Sequence, residues 1–203
     1  MSARQAIFFD CEFLVSPGAP QRFWCGPEDP DPQVVQIGAV ALSLEPPFEI
    51  GERLDLRIRP HDRAGQFVPP EPIFTQLTGL SDADLRAGLP LAEALRQFET
   101  FCQGARVWSW GKDELNLMAI TCWLADVAAP MRPERFGNAA ALVQKAGQPI
   151  DVIHKTRSNA LPELFGLSVE GARAHDAVSD ALSVAVPVQH LLREGLLEPV
   201  DLH

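Results

Sequence analysis

Residues 6–14 read Ala6-Ile7-Phe8-Phe9-Asp10-Cys11-Glu12-Phe13-Leu14: four apolar side chains run into two carboxylates one residue apart, and apolar residues then resume. A short continuous apolar run of this kind predicts a strand buried on both faces. Side chains alternate along a strand, so Asp10 and Glu12 point to one face and Cys11 to the other. Two adjacent acids on a core strand repel each other and lose hydration, a cost removed by a proton or a cation. A divalent ion with hard oxygen ligands is the simplest remedy. The alternative ends the strand at Phe9 and leaves both acids in a solvated loop.

Outward from that stretch, residues 16–33 hold five prolines and two glycines and read as a long loop. Within it, Phe23 and Trp24 are candidates either to stack on a base or to tack the loop down. Residues 34–42 form a second apolar strand with Gln36 as its one polar side chain, and 53–59 alternate as a third. The short spacing predicts an antiparallel meander. After a breaker-rich loop over 60–72, Thr78-Gly79-Leu80 forms a turn, and Ser81 with Asp84 three residues on reads as a helix N-cap. Periodicity then predicts a helix over 91–102, a strand over 105–110, a helix over 113–125 and irregular chain over 130–137. Beyond these follow a helix over 139–146, a short strand over 150–153, helix over 159–165 and a long helix over 176–193 kinked at Pro187. The layout is α/β with a mixed sheet of five strands flanked by helices, read as a single domain over 1–203 with its core at about 6–193.

The totals narrow the function. The 203 residues are 46% hydrophobic and 22% charged, an ordinary globular composition. Neither a signal peptide nor a membrane-length apolar run is present in the sequence, and a cytoplasmic location is expected. Four scattered cysteines without a paired spacing argue against a zinc site and a disulfide framework. Cys11 is expected to pack away from the acids rather than act as a nucleophile. A net charge of −10 argues against strong nonspecific gripping of long duplex nucleic acid. It leaves room for an acidic metal site that meets phosphate through the metal.

Two later stretches carry chemistry. In Gly171-Ala-Arg-Ala-His175-Asp176-Ala-Val-Ser-Asp180-Ala181, His175 precedes or opens a helix and Asp180 follows somewhat over one turn later. A neutral imidazole there can take a proton from a water while the carboxylate holds a metal. In Trp110-Gly111-Lys112-Asp113-Glu114, two acids open the mid-chain helix. Taken in order, Asp-x-Glu on the first strand, an acid after a Trp-Gly turn and His-x4-Asp in a late helix resemble the DEDDh 3′–5′ exonuclease family. The Gln-Ile-Gly-Ala of the second strand and the Leu-Thr-Gly-Leu turn add to the resemblance, which covers about residues 7–192.

That resemblance implies a ribonuclease H-like fold and two Mg²⁺ or Mn²⁺ ions. It makes Asp10, Glu12 and Asp180 metal ligands, with Asp10 bridging, and His175 the general base. Two ions roughly 3.5–4 Å apart stabilise both the attacking and the leaving oxygen of a phosphodiester displacement. One position departs from the family pattern, which has aspartate four residues after the tryptophan: Glu114 stands there and Asp113 one earlier. Residue type favours Asp113 and spacing favours Glu114; the reading leans to Asp113. By analogy Phe13, Leu14 and Leu80 contact the terminal bases, although each is also a natural core residue.

The function so implied is release of nucleoside monophosphates from single-stranded 3′ ends of RNA or DNA. Expected partners are those ends and no membrane, with a homodimer left open. Competing readings are a non-catalytic regulatory or nucleic-acid-binding module on the same fold, and a phosphodiesterase acting on small nucleotides.

Overall fold

A computed structural model describes residues 4–203. Strand β1 (Gln5–Phe13) is the centre of a five-stranded mixed sheet of order β3-β2-β1-β4-β5, in which β2 is Val34–Ser43, β3 Ile50–Arg57, β4 Val107–Ser109 and β5 Phe136–Asn138. Strands β1, β2 and β3 form the expected antiparallel meander, and β4 and β5 join in parallel.

The alternation read from β1 governs the layers. Ala6 and Phe8 pack on Ala181, Val184, Ala185 and Val188 of the last helix, α8 (Ala177–Arg193). Ile7, Phe9 and Cys11 turn the other way, onto Ala94, Leu95, Phe98 and Cys102 of α3 (Leu91–Cys102) and Met118 and Cys122 of α4 (Asp113–Leu124). The Phe9 and Phe98 rings lie 5.4 Å apart at their centroids. Asp10 and Glu12 share the parity of Phe8, so they emerge on the α8 side where the apolar packing of the strand gives out.

Three local expectations need correction. The fifth strand is not 150–153 but β5, inside the stretch read as irregular. Gly137 in β5 sits under the Trp108 ring, and a Cβ there would fall 2.4–2.7 Å from ring carbons, so this glycine marks close approach rather than a break. Ile150–Ile153 is instead the single-turn helix α6, started by Pro149, with α5 (Ala139–Lys145) before it and α7 (Leu161–Leu164) after it. Only Ile153 of that turn is buried, so there is no second face for a strand to present. The chain before the Thr78-Gly79-Leu80 turn is also helical: α1 (Pro72–Thr78) begins with Pro at its first position and ends on left-handed Gly79, φ 77°. The Ser81 cap is present as a capping box with Asp84 at the start of α2 (Asp82–Arg86). Helix α8 continues through Pro187. Among the described residues no helix is long and apolar enough to cross a membrane.

Candidate metal centre

Asp10 and Glu12 occupy the site end of β1, where a register shift between Glu12 and Phe13 ends the regular pairing. Bulges of this kind re-aim side chains beside functional sites. The cross-strand partner of Asp10 is Gly38, and a Cβ there would stand 2.2 Å from the Ala177 carbonyl carbon and the Val178 nitrogen. The missing side chain therefore lets the first turn of α8 lie directly on the sheet. Asp176 caps that turn by accepting the Ser179 N–H at 3.0 Å. Asp180, one turn in, is thereby brought to the two acids of β1. Carboxylate oxygens of Asp10, Glu12 and Asp180 all lie within 4.8 Å of one another.

The third wall is the start of α4. Gly111 adopts φ 104°, which only glycine takes without strain, and its N–H donates to Asn138 Oδ1 at 3.1 Å. Trp110 Nε1 donates to the Thr156 carbonyl at 2.9 Å, and the Thr121 hydroxyl accepts the Val34 N–H at 3.0 Å, tying α4 to the start of β2. Glu114 is buried, and its Oε2 has no hydrogen-bond partner. Asp113 beside it is exposed.

The electrostatics identify which acids share the site. Burial raises the Asp10 carboxyl well above its ordinary value, and the charges of Glu114, Glu12, Asp180 and Asp113 add to this in that order. Glu12 is pushed up to about 8, first by burial and then by Asp180 and Asp176. Glu114 is also pushed up to about 8, by burial and by the Asp113 charge. Burial raises Asp180, while the His175 N–H and the His175 charge oppose it. The donors are all hard carboxylate oxygens, one of them orphaned, and they repel one another as ions. This set fits divalent Mg²⁺- or Mn²⁺-type cations, whose charge removes both the repulsion and the orphan.

His175 lies just outside α8 at φ 59°, exposed, with its N–H donating to Asp180 Oδ2 at 3.1 Å. The candidate base contacts divide. Leu14 and Leu80 are buried together with Val35, Phe74 and Leu85, whereas Phe13 is half-buried at the site end of β1. In the proline-rich loop, Trp24 Nε1 donates to the Leu14 carbonyl at 3.0 Å and so tacks the loop to β1, while Phe23 is 84% exposed. Gln36, opposite Glu12, donates to Asp55 Oδ1 at 2.8 Å. Cys11 faces the α3–α4 side with its thiol pushed up by burial, as a packing residue would be. Sequence reasoning missed Gly38, Asp176 and Asn138. Each carried a local signal: Gly38 is a glycine inside an otherwise apolar strand, and Asp176 and Asn138 are N-cap residue types directly before helices.

The fold is similar to that of known nuclease domains. The nuclease domain of 3′hExo, a DEDDh family member solved with rAMP, matches with a TM-score of 0.79 at 16% identity, over 95% of this chain and 94% of its own. Cell-death related nuclease 4 matches at 0.71 and 16%, over 95% of this chain and 64% of its own. E. coli Exonuclease I, solved with a dA16 oligonucleotide, matches at 0.60 and 15%, over 96% of this chain and 42% of its own. No protein-family model and no curated protein matches the sequence. The mixed five-stranded sheet with its flanking helices matches the ribonuclease H-like fold of these nuclease domains.

Proposed function

We propose that the protein is a metal-dependent 3′–5′ exonuclease that releases nucleoside monophosphates from single-stranded ends of RNA or DNA. The observation that carries this reading is the convergence of Asp10, Glu12 and Asp180 within 4.8 Å, with buried Glu114, whose Oε2 has no partner, acting on Asp10. Two Mg²⁺ or Mn²⁺ ions held there supply the positive charge that stabilises the attacking and leaving oxygens. Asp10 would be the central ligand of the set, because the charges of Glu114, Glu12, Asp180 and Asp113 all act on it. Glu114 rather than Asp113 is the mid-chain ligand, since it is the buried member of the pair and the stronger influence on Asp10.

A ring nitrogen of neutral His175 takes the proton of the attacking water, and the carboxylate of Asp180 stabilises the imidazolium so formed. The water oxygen bonds to phosphorus, the bond to the 3′ oxygen of the preceding nucleotide breaks, and that oxygen takes a proton from solvent. Phe13, half-buried at the end of β1 and packed against the cluster on the α3–α4 side, is the remaining candidate to stack on a terminal base. The nucleotide and single-stranded DNA bound in the matching structures support the substrate class, as does a net charge of −10, which disfavours long duplexes.

The test is incubation with 5′-labelled single-stranded RNA and DNA and Mn²⁺. A ladder shortening from the 3′ end with release of mononucleotides is the expected result; no shortening at any Mn²⁺ or Mg²⁺ concentration overturns the reading.

A further inference from the structure

Residues 171–175 carry His175 to the site, are exposed throughout and belong to no helix or strand. Their hydrogen bonds are local, from the Ala172 N–H to the Val169 carbonyl and from the His175 N–H to Asp180, with one exception. Arg173 Nη2 donates to the Thr78 carbonyl at 3.2 Å, across 95 residues of chain. Thr78 is the last residue of α1, so its carbonyl is among those the helix leaves without an internal partner. A guanidinium at that end also meets the negative pole of the helix. The neighbouring residue makes room: a Cβ on Gly79 would stand 3.1 Å from Arg173 Nη2.

The two sides of this contact differ in rigidity. The Thr78 hydroxyl donates to the Phe74 carbonyl at 3.0 Å and accepts the Leu80 N–H at 3.1 Å, and Leu80 is packed in a buried cluster. The turn is a fixed post, and the histidine segment is held to it by one side chain. We propose that Arg173 is a positioning residue that latches the His175 segment onto the C-terminal end of α1, fixing the imidazole against the Asp180 side of the acid cluster. Its catalytic consequence rests on the reading of His175 as general base; the latch itself does not.

Arg173→Met keeps an unbranched apolar stem and removes the donors, whereas Arg173→Lys keeps a donor for the Thr78 carbonyl. The first measurement is amide hydrogen exchange over 171–175 in the full chain without metal or substrate. Arg173→Met is expected to raise exchange about tenfold at the Ala172 and His175 amides, the two in the segment that are hydrogen-bonded, with α8 beyond its first turn unchanged. The second is turnover of a single-stranded 3′ end with Mn²⁺. Arg173→Met is expected to lower kcat about tenfold with KM within about threefold, and Arg173→Lys to recover most of the loss. Unchanged exchange in Arg173→Met overturns the latch. Raised exchange with unchanged kcat overturns its role in placing His175. If the unaltered protein shortens no 3′ end, the exonuclease reading falls, and the latch still stands or falls on exchange alone.

Discussion

The acid cluster and the histidine segment, which meet at the bond from the His175 N–H to Asp180, are built in opposite ways. Asp10 and Glu12 are fixed by a strand buried on both faces, Asp180 by a helix laid directly on that strand's neighbour at Gly38, and Glu114 by the buried stripe of α4. His175 stands on exposed chain in a left-handed conformation, held by its own N–H and, two residues earlier, by Arg173. Metal ligands must be in place before the ion arrives, at the cost of mutual repulsion. A general base needs only to reach the water once substrate is bound, so it can ride on a segment of low local stability. The packed half should therefore govern metal binding and stability, and the exposed half turnover alone.

The largest test of that division is Asp10→Asn. Turnover should fall on the order of 10³-fold. The metal-free protein should become more stable at pH 8, because one member of a repelling set is gone, and Mn²⁺ should no longer raise Tm. His175→Ala should lower turnover about 10²-fold while leaving the Mn²⁺-induced rise in Tm intact; loss of that rise would break the comparison. Glu114→Gln should lower turnover about tenfold and weaken Mn²⁺ binding, and Asp113→Asn should change both less than about twofold. Equal effects at the two positions would return the choice to Asp113. Gly38→Ala drives a Cβ into the backbone of α8 and should cost about 1–3 kcal/mol in denaturant unfolding, with Mn²⁺ affinity falling as Asp180 moves away.

The smallest effect is one of pH. Glu12 and Glu114 titrate near 8 in the folded chain and near 4.5 when exposed. Below about 4.5 both are protonated whether folded or not, and their contribution to stability is whole. As pH rises to and through about 8 the unfolded chain ionises first, so the metal-free protein loses stability over that window. Unfolding followed between pH 5 and 9 should show the decline without metal and a flatter curve with Mn²⁺.

Much of this was readable in the sequence where a pattern was long enough to speak. Nine residues of β1, the apolar second strand and the twelve-residue periodicity of α3 each repeat their signal several times. The order of the acids along the chain was legible for the same reason. Two of the shortest elements gave a misleading pattern: β5 was hidden behind its own glycine, and α6 resembled a strand because two of its apolar residues flank an acid. Between Asp113 and Glu114, residue type pointed to Asp113 and the spacing after Trp110 to Glu114. Helical phase puts Glu114 on the buried stripe it shares with Met118, Thr121 and Cys122. Gly38 and Arg173 act between elements far apart in sequence, and no local pattern could pair Arg173 with Thr78.

The central claim is that four carboxylates are assembled by packing to receive divalent ions. Calorimetric titration of the metal-free protein with Mn²⁺ at pH 7, repeated in buffers of different ionisation enthalpy, tests it most directly. With Glu12 and Glu114 raised to about 8, both hold protons at pH 7 and must release them when ions bind. The account predicts two Mn²⁺ per chain with net proton release that shrinks as pH is raised past 8. No binding, or binding without proton release, would contradict it.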